Sequence, residues 1–205
     1  MVKLNRSLAI VLCAAFILTA ALVGCGKPSE GQPEEKIDYA ALQKTTVETF
    51  LSLLYTSDSG RFQKLKDDGL FPADYEYDLF TNVSSLTSEN FGEYFTELSK
   101  LCDTECIETD LLGYGLAFHA DMFAEHFGYD SLKVSGVEFA ELEHGDNEAD
   151  NKYLCTVNID FSKDGLTRTY PLHNEVCIFT DGETSTIYRC TEKDALLQRD
   201  LSDWH

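Results

Sequence analysis

The densest group of side chains able to do chemistry is His119-Ala120-Asp121-Met122-Phe123-Ala124-Glu125-His126. On a helix, His119 and His126 are seven apart and fall on one side, and Asp121 and Glu125 are related by i, i+4. These residue types can ligate a metal or act as an acid–base pair. The plainer reading is an amphipathic helix with histidines at its margin, because Phe118, Met122, Phe123 and Phe127 share the segment. The His-Glu-x-x-His zinc spacing is absent, as are a Gly-x-Ser-x-Gly elbow, a phosphate loop and a dinucleotide fingerprint. A second pairing, His173 with Cys190, reads as cross-strand neighbours, either a nucleophile with its base or a sheet pair. No catalytic residue, metal or cofactor is assigned on these grounds.

Cysteines carry the more specific signal. The chain has 7. Cys25 closes the tetrapeptide Leu22-Val23-Gly24-Cys25, which follows the basic residues Lys3 and Arg6 and an apolar run from Leu8 to Val23 broken only by Thr19. A short basic region, an apolar stretch of about 16 residues and small residues at a cut describe an export signal, whereas a spanning helix needs about 20 residues. The tetrapeptide resembles the lipobox of bacterial lipoproteins, a resemblance that covers residues 1–25. It implies that the Cys25 thiol receives a diacylglycerol and that the bond before it is cut. Cys25 is then the lipid-bearing start of the mature chain, anchored without spanning, on the extracytoplasmic face of the cell membrane.

Five cysteines remain: Cys102, Cys106, Cys155, Cys177 and Cys190. Export permits disulfides, and an odd count leaves at least one thiol unpaired. Cys102 and Cys106 are four apart, which suits either a local disulfide or two free thiols. Hairpin register tests the rest. A turn at Asp164-Gly165 sets Cys155 opposite Asn174. A turn at Asp181-Gly182, or one residue later, sets Cys177 opposite Thr186 or Tyr188 and Cys190 opposite His173 or Glu175. No cysteine then faces another, and two strand spacings, about 9–10 Å, exceed disulfide reach. Buried free thiols are expected on the strands.

These residues need elements to position them. Gly26 to Lys36 holds two prolines and no large apolar residue, and reads as a flexible tether. The expected organisation is a signal peptide over 1–24, a lipidated cysteine and tether over 25–36, and one α+β domain over 37–205. Asp38 caps a helix to about Tyr55, with Val47, Phe50, Leu51 and Leu54 on one stripe. A short helix carries Phe62 and Leu65 and stops at Gly69. A third helix is predicted from Ser88 to Cys102, through Phe91, Tyr94, Phe95, Leu98 and Leu101. Residues 107–130 are ambiguous, with a helix over Leu116–Phe127 as one solution. From Leu132 the period becomes two. The parity shift at Ser135-Gly136 predicts a β-bulge. Strands follow over Tyr153–Phe161, Tyr170–Thr180 and Thr186–Cys190, with Pro171 required at an edge or bulge. A closing helix is predicted over Glu192–Leu201.

Helices followed by an antiparallel meander specify an α+β fold, N-terminal helices packed on a curved antiparallel sheet. A long first helix and a bulged sheet over about residues 38–192 look like the NTF2-like cone. That resemblance implies a pocket at the cone's open end, in which Asp160, Tyr153, Tyr170 or Tyr188 would be available as acid or base. Its members include both enzymes and binding proteins, so it widens the functional question.

Composition excludes other classes. The 205 residues carry 36 Asp+Glu against 16 Lys+Arg, a formal charge of −20. Nucleic acid is not an expected partner for so acidic a chain. With Lys3 and Arg6 removed, 14 basic residues stand against the 36 acidic ones, and such a surface resists nonspecific adhesion to anionic headgroups. The expected role is a binding module for a small apolar ligand or a cell-envelope protein. Tyr75, Tyr77, Phe80 and Tyr94 are candidate pocket aromatics. The alternative is a small NTF2-like pocket enzyme with a lone acid or base. An enzyme should show a pocket with a buried carboxylate or histidine of shifted pKa; a binding module should show an aromatic cavity without one.

Overall fold

Asp38 starts the first helix as expected: its carboxylate accepts the N–H of Ala41 at 3.1 Å. The computed structural model describes residues 38–70, 86–140, 143–144 and 148–194. Helix α1 runs Tyr39–Tyr55 and buries Val47, Phe50, Leu51, Leu54 and Tyr55. Each such side chain contributes about 1.5–3 kcal/mol on leaving water. Helix α2, Ser59–Asp67, is capped by Asp58, whose carboxylate accepts the N–H groups of Gly60 and Arg61. It buries Phe62 and Leu65 and gives way to Gly69 at φ +72°. Tyr75, Tyr77 and Phe80 lie outside the described residues.

The third helix departs from expectation. Ser88–Cys102 forms two single turns, α3 (Ser88–Phe91) and α4 (Thr96–Ser99), followed by an extended segment. Gly92 weakens the middle, and the hydroxyls of Thr96 and Ser99 hydrogen-bond the carbonyls of Gly92 and Thr96 in competition with the helical ladder. The apolar residues still reach the core, with Phe91 and Phe95 stacked 4.7 Å apart. The chain then passes the sheet edge at Leu101–Asp103, where the Ile187 N–H donates to the Leu101 carbonyl at 2.8 Å and the Asp103 N–H to the Ile187 carbonyl at 3.0 Å. The ambiguous segment resolves into a short turn α5 (Thr104–Cys106), a π-helical stretch Ile107–Gly113, a 3-10 turn Leu116–Phe118 and helix α6, His119–Phe127. Gly115 (φ +72°) and Gly128 (φ +66°) supply the left-handed turns on either side.

The strands are β1 (Ser131–Phe139), β2 (Glu143–His144), β3 (Asp150–Lys163), β4 (Leu166–Asp181) and β5 (Thr184–Glu192). They form one antiparallel sheet in the order β1-β3-β4-β5, with β2 extending the β1 edge along β3. The register shift between Val134 and Gly136 is the expected bulge, and Cys155 faces Asn174 as the hairpin arithmetic requires. On β5 the expectation fails by one residue. A shift between Cys177 and Ile178 sets Cys177 opposite Arg189 and Cys190 opposite Val176. An irregularity inside a strand leaves no mark in the turn from which that register was counted. Pro171 lies opposite Asn158, beyond the point where β5 ends, so among the described residues one side of β4 there is an edge. Of the predicted closing helix, Glu192 belongs to β5 and 195–201 lies outside the described residues.

Tyr153, Cys155, Val157, Ile159 and Phe161 turn to the buried face of β3, where Tyr153 meets Gln43 of α1 and Phe161 meets Phe123 of α6. The opposite face carries Thr156, Asn158 and Asp160, which are half-buried. The architecture is α+β, as the sequence pattern requires.

Candidate functional site

A cleft of about 130 Å³ opens where the α1–α2 turn meets α6 and the α6–β1 turn. Ser57, Ser59 and Phe62 line one wall; Asp121, Ala124 and Glu125 the second; Tyr129 and Asp130 the third. Asp121 lines it with its side chain fully buried. One carboxylate oxygen accepts the Asp58 N–H at 2.6 Å. The other accepts Arg61 Nε at 2.8 Å and lies 2.7 Å from Arg61 Nη2. Arg61 also stacks over the Phe95 ring at 4.8 Å. Burial pushes the Asp121 carboxyl up to about 6, against the pull of Arg61 and the Asp58 N–H. The other two carboxylates are engaged as well: Glu125 pairs with Lys66, and Asp130 accepts the Asp164 N–H at 3.0 Å.

The Asp121 shift sets a pH dependence. A carboxyl whose folded pKa lies above its unfolded value of about 3.9 stabilises the fold below the lower value and loses that contribution as pH rises through the higher. From pH 4 to 7, the unfolding free energy of the wild type should therefore fall by about 2–3 kcal/mol relative to Asp121→Asn. Urea titrations of both proteins across that range measure it.

A second polar cluster lies inside the domain. The Tyr55 hydroxyl, at the end of α1, is 2.6 Å from Asn174 Oδ1 on β4 and 3.0 Å from Glu192 Oε2 on β5. His119 Nδ1, at the start of α6, is 3.4 Å from the same Glu192 oxygen. Asn174 and Glu192 are opposite one another in the β4–β5 register. Burial, then the neighbouring Glu192 charge, hold the Tyr55 phenol well above its ordinary value. The Asn174 amide nitrogen is buried without a hydrogen-bond partner. Replacing Tyr55 by Phe deletes the hydroxyl between Asn174 and Glu192 and should cost about 2 kcal/mol in a urea titration.

The third cluster fastens the start of α1 to the sheet. The Gln43 amide donates to the Ala149 carbonyl and to Thr180, and accepts from Asn151 and from the Tyr153 hydroxyl. All of its polar capacity is spent internally, which marks it as structural.

The predicted chemical residues separate. His119 is buried at Glu192 while His126 is exposed, and Asp121 pairs with Arg61, not with Glu125. Among the described residues no group of three metal-ligating side chains converges. His173 and Cys190 are not neighbours: the register shift gives Cys190 to Val176, and His173 pairs with Asp194 at 2.7 Å. Asp160 is on the outer face, accepting from Ser135 and Thr169. Tyr188 donates to Asp150, and Tyr170 packs edge-on against Phe161. Tyr94 donates to Asp68 and is half-buried. The five domain cysteines are buried free thiols, Cys102 and Cys106 included.

Sequence reading missed Arg61, Tyr55, Asn174 and Glu192. Asn174 was reachable, since it shares the inward parity of Leu172 and Val176. Arg61 offered no local signal, because its partner is 60 residues away. No protein-family model, no curated protein and no solved structure matches this chain.

Proposed function

We propose that this chain is a bacterial lipoprotein, anchored by a lipid on Cys25 to the extracytoplasmic face of the cell membrane, whose domain over 37–205 binds a small ligand or a cell-envelope partner. The observation that carries the anchor is Leu22-Val23-Gly24-Cys25 behind a basic start and an apolar run. A cleft holding a buried carboxyl pushed up to about 6 is the feature expected of an enzyme and counts against binding; what supports binding is how the carboxylates of the cleft are engaged. A general acid or base needs a proton or lone pair aimed at substrate. Here Asp121, Glu125 and Asp130 all spend hydrogen bonds on the protein itself. The order of elements, a long helix and then a bulged meander, is also that of the NTF2-like cone, whose members often serve as binding domains.

The second reading, a small pocket enzyme with a lone acid or base, draws on Asp121, whose carboxyl near 6 is poised to exchange a proton around neutral pH. Its engagement with the Asp58 N–H and with Arg61 places it second.

Growth of the native host with a clickable fatty-acid analogue tests the anchor. The wild-type chain is expected to carry label and to begin at Cys25, and Cys25→Ala to lose the label entirely. An unlabelled wild type, or a mature chain that still begins at Met1, overturns the proposal.

A further inference from the structure

We propose that Cys102 and Cys106 form a dithiol–disulfide couple, closing across the capped turn that ties residues 101–103 to the edge of β5. Asp103 caps α5: its carboxylate accepts the Cys106 N–H at 2.8 Å and curls the chain back toward Cys102. Both thiols belong to one buried cluster, and the Cys102 thiol is the largest influence raising that of Cys106. Cys102 is held from the other side by its parallel bridge to Ile187. The other three cysteines are on the strands, with Cys155 opposite Asn174, Cys177 opposite Arg189 and Cys190 opposite Val176. Among five buried thiols, this is the pair that the backbone brings together within a single turn.

The structure holds the reduced form. Oxidation requires an acceptor, a small-molecule or protein disulfide. Cys102 is the point of entry, because the residue retains 9% exposure while Cys106 has none. As a thiolate it attacks the external disulfide, forms a mixed disulfide and releases one thiol. The Cys106 sulfur then loses its proton, displaces the second thiol and closes the internal bond. Two thiols have lost two protons and two electrons, and one external disulfide has become two thiols. The Cys102 thiol, then burial, push the Cys106 thiol up, so the second step is slow in the closed domain. The couple rests on thiol placement alone. Export affects only which oxidant it meets, so the anchor can fail while the couple stands, and the reverse.

The test uses the mature chain equilibrated in mixtures of oxidised and reduced dithiothreitol, both folded and during refolding from denaturant. Thiols are then alkylated under denaturing conditions. Trypsin cuts after Lys100 and next after Lys133, so one peptide carries both sulfurs. In oxidising mixtures this peptide is expected unlabelled and two hydrogens lighter. In reducing mixtures it should gain two labels, with Cys155, Cys177 and Cys190 labelled throughout. Cys106→Ser should leave Cys102 labelled in every mixture, and Cys102→Ser should do the same for Cys106. The proposal is overturned if both sulfurs stay labelled in the most oxidising mixture, folded and refolded alike. A bond joining either one to Cys155, Cys177 or Cys190 overturns it equally.

Discussion

Arg61→Ala should destabilise the domain by about 3–5 kcal/mol at pH 7.5, because it leaves the buried Asp121 carboxylate without its cation. The arginine offers two nitrogens at 2.8 and 2.7 Å to one carboxylate oxygen, and its guanidinium carbon lies 4.8 Å from the Phe95 ring centre, so the substitution removes charge and packing together. For a domain of this size each kcal/mol moves Tm by about 2–4 °C, and a fall of about 10 °C or more is expected. The loss should shrink in acid. Without Arg61 the Asp121 carboxyl climbs above 6 and takes a proton, and a neutral acid is far cheaper to bury. Urea titrations at pH 5 and 7.5 should therefore differ, with the smaller penalty at pH 5. Equal penalties would mean that the pair is not electrostatically coupled. The double change Arg61→Met with Asp121→Leu should recover most of the loss, since replacing both ions removes the uncompensated charge.

Phe123→Ala should cost about 3–5 kcal/mol, the usual range for emptying a buried aromatic site. Phe123 is fully buried on α6. Its ring stacks on Tyr129 at 5.7 Å and meets Phe127 at 4.6 Å and Phe161 of β3 at 5.5 Å. It therefore joins helix, turn and sheet. Phe123→Leu keeps most of the volume and should cost about half as much. Calorimetry compares the two. If alanine costs under about 1 kcal/mol, α6 is not packed on the sheet as described.

The two effects share a cause. Helix α6 presents Asp121 to the α1–α2 turn and Phe123 to the sheet, so one short helix fastens both layers. Its nine residues cannot hold helical form unaided in water. The cleft at Ser57, Asp121 and Tyr129 exists because this tertiary packing fixes its walls.

Much of this architecture is written in local pattern. The α1 stripe, the Asp38 cap and the Cys155–Asn174 register follow from periodicity and turn chemistry within a few residues. The Ser88–Cys102 segment shows where that logic fails. Its apolar spacing is helical, yet Gly92 and two side-chain hydroxyls break the ladder, and the sheet edge claims Leu101 to Asp103. The cleft was less legible than the fold. Asp121 and Glu125 were singled out together on helical spacing, but their actual partners, Arg61 and Lys66, are on α2. Spacing along one helix says nothing about what a second helix brings. Gln43 did leave a trace: it sits four residues before Val47 on the apolar stripe, where a polar side chain must find buried partners.

The position of Pro171 bears on how copies of this chain behave at close quarters. Among the described residues, β4 beyond the end of β5 is paired on one side only. His173, of the same parity as Pro171, turns its backbone groups to that other side, where Asp194 and Lys193 take them. Pro171 therefore faces outward with no N–H to offer. A stranger's strand arriving there finds a gap in the row of donors and cannot zip along it. Strand addition is blocked at this stretch of β4, at no cost to the β3 ladder within.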